Sequence, residues 1–173
     1  MRRCLIVMLL CVSASAFAQT DGRDTQFKDP LLDHLVGRWD APGRVRGREV
    51  HSILTAEWVL NHQFLRLKLE DTATPSQYEA WIFIGYDFLS ERYVVHWIDV
   101  FGGRFSETLG FGNRSGDTLR FVFEYGDGPF RNTLTWTANG RSWHWLIESK
   151  DQAGRWKTFA EYDLHAKPLA ASS

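Results

Sequence analysis

From Arg38 to His165, apolar and polar residues alternate in short runs separated by turn-forming clusters, the period-two pattern of half-buried strands. The last third of the chain is the clearest. Asn139-Gly140 is a strong hairpin signal, because both central positions of a type I′ turn need positive φ. Pairing Ala138 with Arg141 across it sets Trp136 opposite Trp143, Leu134 opposite Trp145 and Asn132 opposite Ile147, while Thr135 meets His144 and Arg131 meets Glu148 on the other face. Carried back through residues 126–129, the register predicts Phe123 opposite Asn132, Phe121 opposite Leu134, Leu119 opposite Trp136 and Glu124 opposite Arg131. Carried forward through residues 151–154, it predicts Trp145 opposite Ala160, Trp143 opposite Tyr162, His144 opposite Glu161 and Glu148 opposite Lys157. One face is thus Leu, Phe, Trp and Tyr, and the other is a row of alternating charges suited to a solvated sheet surface.

The same pattern predicts ten strands, at 38–47, 49–60, 63–70, 78–86, 92–100, 104–112, 118–125, 130–138, 141–149 and 156–165. All connections are short, so neighbouring strands run antiparallel, and an up-and-down run closing on itself removes exposed edges. The expected fold is an all-β, ten-stranded antiparallel up-and-down barrel. Its second hairpin, turning at Asn61-His62, sets Trp58 opposite Leu65, Ala56 opposite Leu67 and Leu54 opposite Leu69, with Glu57 facing Arg66 outside. Before the first strand, residues 29–37 predict a short capping helix: Asp29 as N-cap, Pro30 in the first turn, Gly37 past the end, and Leu31, Leu32, Leu35 and Val36 on one apolar face. Ten strands make a wider barrel than the eight whose interior side chains fill, so a cavity is expected.

Strands four to six are apolar on both faces and admit two registers. If Arg114 pairs with Asp117, the inward set is Ala80, Ile82, Ile84, Tyr86, Tyr93, Val95, Trp97, Asp99, Ser106, Thr108 and Gly110. A one-residue slip turns Trp81, Phe83, His96, Ile98, Glu107 and Leu109 inward instead. Gly110 and Gly112 across from Phe121 and Leu119 favour the first, since small residues make room for bulky neighbours.

The ends of the chain bound its setting. Met1-Arg2-Arg3, the apolar run 4–12 and the Ala16-Phe17-Ala18 exit read as a cleavable signal peptide over residues 1–18, too short in its apolar part to span a membrane. The expected product is periplasmic or secreted, with a polar tail over 19–28, a barrel over 29–167 and a flexible tail over 168–173. Cys11 follows Leu10, not the small residue of a lipoprotein site. Both cysteines, Cys4 and Cys11, lie in the signal, so no disulfide framework is available to the mature chain. Without Arg2 and Arg3 the 20 basic residues fall to 18, against 21 acidic ones, a balance that argues against nucleic acid or anionic membrane as partner.

The candidate chemistry is sparse. Asp99 in the first register is an inward carboxylate near a barrel mouth, able to orient a polar head group or to serve as an acid or base; it can equally cap the Phe101-Gly102-Gly103 turn. In the second register His96 and Glu107 become an inward acid/base pair. Asn132 is a polar residue on the aromatic face and must find a partner in water, a neighbour or a ligand. Trp39, Trp97, Trp136, Trp145 and Tyr162 are the aromatic candidates for a ligand-lining set, with core filling as the competing role. Trp143 and Trp156 share that ambiguity. His144, Glu148 and His165 fall on the charged face, which carries no metal expectation. Gly-x-Ser-x-Gly, His-Glu-x-x-His and phosphate-loop patterns are missing from the sequence. Asn113-Arg114-Ser115 matches a glycosylation sequon.

Leu35-Val36-Gly37-Arg38-Trp39, a short helix entering the first strand through Gly-x-Trp, resembles the opening of calycin barrels, which include lipocalins, fatty-acid-binding proteins and nitrobindin. Trp81-Ile82-Phe83-Ile84-Gly85-Tyr86-Asp87, then Tyr93-Val94-Val95-His96-Trp97-Ile98-Asp99, then glycines 110 and 112, are similar to a bacterial family of uncharacterised barrel domains of unknown function, over residues 29–165. The resemblance implies a lipocalin-like barrel with no established activity. It also implies that Trp39 packs under an Arg near the chain end, where this chain has Tyr162-Asp163-Leu164-His165-Ala166-Lys167. Nitrobindin-like haem binding would need an inward His there, and His165 falls on the outward parity. The function expected is an exported barrel holding a small, mostly apolar or amphipathic molecule, with no cofactor; the alternative is an enzyme using Asp99, or His96 with Glu107, on a cavity-bound molecule.

Overall fold

The computed structural model describes residues 26–167; the predicted signal peptide, residues 19–25 of the N-terminal tail and the tail 168–173 lie outside the described residues. A short helix, α1 (Pro30–Asp33), precedes ten strands: β1 (Gly37–Val45), β2 (Arg48–Val59), β3 (Phe64–Asp71), β4 (Glu79–Asp87), β5 (Arg92–Asp99), β6 (Gly110–Ser115), β7 (Thr118–Tyr125), β8 (Gly128–Thr137), β9 (Ser142–Lys150) and β10 (Trp156–Ala166). Each strand pairs antiparallel with its neighbours in sequence, and β1 pairs with β10, so the sheet closes into the expected barrel without an open edge.

The helix forms for the reason the sequence suggests. Asp29 Oδ1 accepts from the Leu31 and Leu32 amides at 2.9 and 3.4 Å, and Pro30 occupies the first turn. Leu31, Leu32 and Leu35 are buried and plug one end of the barrel. Val36, expected on that face, is 42% exposed: the helix stops at Asp33, and the chain turns out through Gly37, whose φ of +131° is accessible only to glycine.

The registers of β2 with β3 and of β8 with β9 are those predicted, including Leu54 opposite Leu69 and Trp136 opposite Trp143. The turn chemistry differs. Asn139 and Gly140 keep negative φ while Arg141 takes the left-handed conformation at +44° and its N–H bonds Ala138 O, making a four-residue loop; the turn with two positive-φ residues is Arg46-Gly47, between β1 and β2. Three other pairings differ from expectation by two residues. Gly112 faces Phe121 and Gly110 faces Phe123; Phe121 faces Asn132 and Leu119 faces Leu134; Tyr162 faces Trp145 and Leu164 faces Trp143. The causes are local. Two-residue loops at Gly116-Asp117 and Gly126-Asp127 replace a turn placed one residue earlier and a four-residue loop, while between β9 and β10 a five-residue loop, 151–155, adds one residue and a bulge between Thr158 and Ala160 adds the other. The charge row therefore holds only in part: Arg131 bonds Glu148 at 2.7 Å, whereas Glu124 faces Pro129, Lys157 faces Ser149 and His144 faces Asp163.

Because a two-residue slip preserves side-chain parity, inside and outside survive. In the ambiguous strands the first register's face is the inner one, with Ala80, Ile82, Ile84, Tyr93 and Val95 buried. The predicted sixth strand begins only at Gly110. Residues 103–105 form a 3-10 turn, so Ser106 and Thr108 sit in a loop.

Outside, Arg44 pairs Glu49, Arg66 pairs Glu57 and Lys68 pairs Glu70 and Glu79. Among the described residues, the buried polar or charged ones are Asp29, Ser52 and Asn132. This polarity is the inverse of a membrane-spanning barrel, whose lipid face is apolar. Among the described residues no helix is long and apolar enough to cross a membrane.

Candidate functional site

The two ends of the barrel differ. At the plugged end, Asp29 is 3% exposed, and besides capping α1 it accepts from Arg114 Nη1 at 2.7 Å and from the Tyr93 hydroxyl. Burial first, and then the bond to Asp29, hold the Tyr93 phenol above its ordinary pKa. Three indole N–H groups tie the helix segment to the wall: Trp39 to Leu35 O at 2.7 Å, Trp58 to Asp33 Oδ1 at 2.9 Å and Trp143 to His34 O at 3.4 Å. Trp39 is thus held by the Leu35 carbonyl just past the helix, with no Arg required. Phe27, in the segment the sequence leaves as polar tail, is buried between Trp58, Tyr86 and Tyr93, and its amide and carbonyl both bond His62. A hollow of about 310 Å³ lies beside this plug, bordered by Tyr86, Phe88, Glu91, Asn113 and Arg114.

Among the described residues the opposite end carries no α-helix. There β5 pairs with β6 only from Tyr93 to Val95, so residues 96–99 have no ladder partner on that side, and the wall is completed by the loop 100–109. Asp99 lies opposite Ala80 and Trp97 opposite Ile82, both on the inner parity. Asp99 Oδ1 accepts from the Phe101 amide at 2.9 Å, so it does cap the following turn. Its charge also reaches the phenol of Tyr78, which stands at the same rim with the Trp97 indole beside it. Tyr78 is brought there by Asp71, whose carboxylate gathers the amides of Ala73, Gln77 and Tyr78 at 2.8 to 3.1 Å and folds the β3–β4 loop over the rim.

Aromatic rings cluster at this end. Trp97 meets Phe123 edge-on at 6.4 Å and Trp145 at 5.6 Å; Tyr125 stacks on Phe123 at 5.5 Å and meets Phe130 at 5.9 Å; Phe101 lies 6.0 Å from Tyr78. Burial pushes the Tyr78 phenol well up, with Asp99 next in effect, and pushes Tyr125 to about 12, with Asp99 and Asp127 contributing. Tyr162 is pushed to about 12 by burial alone. Neutral phenols beside a carboxylate can donate hydrogen bonds and offer ring faces without competing for its charge.

Of the residues singled out from sequence, Trp97, Asp99, Trp145 and Tyr162 belong to this end, with Trp145 and Tyr162 5.9 Å apart at its floor. Asn132 lies deeper, 1% exposed, its Oδ1 accepting from Trp145 Nε1 at 3.1 Å, so the core itself meets part of its need. Trp39 and Trp136 lie at the plugged end, where Trp136 stacks on His34 at 4.8 Å. Trp143 is core, and Trp156 is outside, covered by Arg131 and Lys150. Tryptophan spacing alone does not say which end of a barrel a ring serves.

The His96/Glu107 pair does not form. His96 faces outward, its Nε2 bonding Ser106 O at 2.8 Å, and Glu107 is exposed in the loop. His144 bonds Asp163 at 2.8 Å on the exposed face. His165 is exposed, and none of the six histidines is buried, so no side chain fits the inward haem ligand that a nitrobindin-like site would need. The rim position of Tyr78 and the hydrogen-bonding roles of Tyr93 and Arg114 were missed. Tyr78 falls in a predicted strand's first residue and Arg114 in a sequon, and nothing local marks partners 64 and 85 residues away.

The described residues form a closed ten-stranded antiparallel barrel, plugged by a helix at one end and rimmed with aromatics at the other. The chain belongs to the family described as protein of unknown function DUF1579, whose model matches residues 25–166. Among solved structures it is similar to Rv2717c from M. tuberculosis, at 10% identity and a TM-score of 0.53, over 82% of this chain and all of that one; that likeness is one of fold. No curated protein matches it.

Proposed function

We propose that this protein is an exported, lipocalin-like carrier that binds a small, mostly apolar or amphipathic molecule at the open end of its barrel. The observation that carries the reading is the asymmetry of the ends: one is sealed by α1 and the latch on Asp29, while the other has an unfinished wall between β5 and β6 and a cluster of half-buried aromatics at the end that holds Asp99. A concave apolar surface with few convergent polar groups is the usual form of a small-molecule site. The mid-barrel supports a shallow site, since Phe121, Phe123, Trp143 and Trp145 are fully buried and fill the lumen. Entry is by way of the loop 100–109, whose Val100 and Phe101 are exposed. The leader over residues 1–18 supports export, with a mature N-terminus at Gln19.

The test is native mass spectrometry of the protein purified from an exporting host, joined to titration with the neutral fluorophore N-phenylnaphthylamine. Retained ligand or saturable fluorescence, weakened in Trp97→Ala and Tyr125→Ala but not in Trp136→Phe, is expected. No bound mass and no saturable signal, or equal binding in all variants, would overturn the reading, and a mature chain retaining residues 1–18 would overturn export.

A further inference from the structure

Asp99 is set apart from this protein's other carboxylates by its place as well as by its partners. Among the described residues Asp33, Asp87, Glu91, Glu107 and Glu124 also form no ion pair, but they lie in the helix, in turns or loops, or on the outer parity. Asp29, Asp40, Glu49, Glu57, Glu70, Glu79, Glu148, Asp151, Glu161 and Asp163 each face an Arg, Lys or His within 4.0 Å, yet among the described residues no basic side chain pairs with Asp99. Its hydrogen bond is to a neutral group, the Phe101 amide. It also stands on the inner parity of β5, at the point where the wall is incomplete, so solvent or a ligand reaches it from the mouth and not from the charged outer face. A partly buried carboxylate without a counter-ion is costly unless something supplies positive charge.

The ring faces at this end are of the matching kind. Tyr78, Trp97, Tyr125 and Phe101 present π surfaces whose negative faces attract a cation, and the Phe123–Tyr125 stack and the Trp97–Phe123 contact hold two of them in place. An anionic head group would meet repulsion from Asp99, and no Arg or Lys is among the buried residues. A neutral sugar or alcohol would leave the carboxylate uncompensated.

We infer that the barrel mouth is a cation-selective site, in which the Asp99 carboxylate and the rings of Tyr78, Trp97 and Tyr125 receive the ammonium group of an amphipathic amine or quaternary ammonium compound. Its tail lies on the Phe123, Phe130 and Trp145 surface. The inference rests on the proposal that the open end binds small amphipathic molecules, and it adds the charge of the head group. Trp145 and Trp97 also make the site its own reporter, through indole fluorescence.

The experiment compares four probes with one tail, dodecyltrimethylammonium, dodecylammonium, dodecanoate and dodecyl maltoside, each below its micelle threshold, titrated against the purified protein by calorimetry and tryptophan fluorescence. The two cations should bind at least about tenfold tighter than the other two. Asp99→Asn should erase that preference while leaving maltoside binding in place; Tyr125→Leu should weaken the trimethylammonium probe most; the exposed Glu124→Gln should change nothing. The wild-type series decides the matter even where a variant fails to fold. Dodecanoate or maltoside binding as tightly as the cations, or a cation preference that persists in a folded Asp99→Asn, would overturn the inference and leave the amphiphile-binding proposal standing. Failure of all four to bind would overturn both.

Discussion

Asp29 is the residue on which the plugged end depends, and its replacement by alanine should be among the costlier single changes outside the aromatic core. Three interactions leave with the carboxylate. The cap on the Leu31 and Leu32 amides is worth about 1 kcal/mol. The Tyr93 hydroxyl, on a residue only 6% exposed, loses its acceptor, at roughly 1–3 kcal/mol for a buried donor left unmade. Arg114 loses a 2.7 Å ion pair, but its side chain is 34% exposed and water can rehydrate it, so its share falls to about 0.5 kcal/mol. The net expectation is a loss of about 3 kcal/mol, equivalent to roughly 6–12 °C in Tm for a domain of this size. Urea unfolding followed by tryptophan fluorescence measures it directly, since Trp39, Trp58 and Trp143 all bond to the helix segment. Asp29→Asn, which keeps a capping oxygen, should cost less than alanine. A double-mutant cycle with Tyr93→Phe should give a coupling above about 1 kcal/mol. A loss under about 0.5 kcal/mol in Asp29→Ala, or strict additivity with Tyr93→Phe, would refute the latch.

Three further outcomes are expected. Gly112→Ala should cost more than Gly110→Ala, because a Cβ at 112 would lie 2.0 Å from the Arg120 carbonyl oxygen and 2.6 Å from Phe121 Cα, backbone that cannot move, whereas at 110 it meets the Phe123 ring at 2.9 Å; comparing urea midpoints ranks them, and equal midpoints would contradict the argument. Asn132→Ala should cost about 1–3 kcal/mol by stranding the Trp145 indole N–H in the core, and Asn132→Leu should recover much of it only if Trp145→Phe is made as well. Tyr78, Tyr93, Tyr125 and Tyr162 all have phenol pKa values raised by burial above the unfolded value, so their contribution to stability is complete below about pH 10 and is lost as pH rises towards 12 for Tyr125 and Tyr162. Stability should therefore fall steeply above about pH 10, with phenolate absorbance from these four appearing only as the chain unfolds; reversible ionisation of all four near pH 10 in the folded protein would contradict it.

What the sequence by itself determined is parity. Alternation assigns each residue of a strand to one face, and because the side-chain period is two, the two-residue slips at β6–β7, β7–β8 and β9–β10 moved partners without moving Phe121, Leu134 or Trp145 from the interior. The glycines at 110 and 112 likewise indicated the correct face of the ambiguous strands, since bulky rings opposite them needed room. Asp99 could be placed on the inner side by the same logic. The tertiary structure decided the rest. Loop conformation set which partner each residue faces: the Gly116-Asp117 and Gly126-Asp127 turns and the β10 bulge are small backbone choices whose energies depend on packing beyond the turn. It also decided which end of the barrel is sealed. Asp29 reads locally as a helix cap and nothing more; its bonds to Tyr93 and Arg114 span 64 and 85 residues, and they exist only because barrel closure brings the starts of β5 and β7 and the end of β6 to the helix. The surroundings of Asp99 arose the same way, since a loop folded on Asp71 brings Tyr78 to that rim. Periodicity acts between adjacent residues and is written in the chain, whereas the pairing of distant polar groups is a property of the closed sheet.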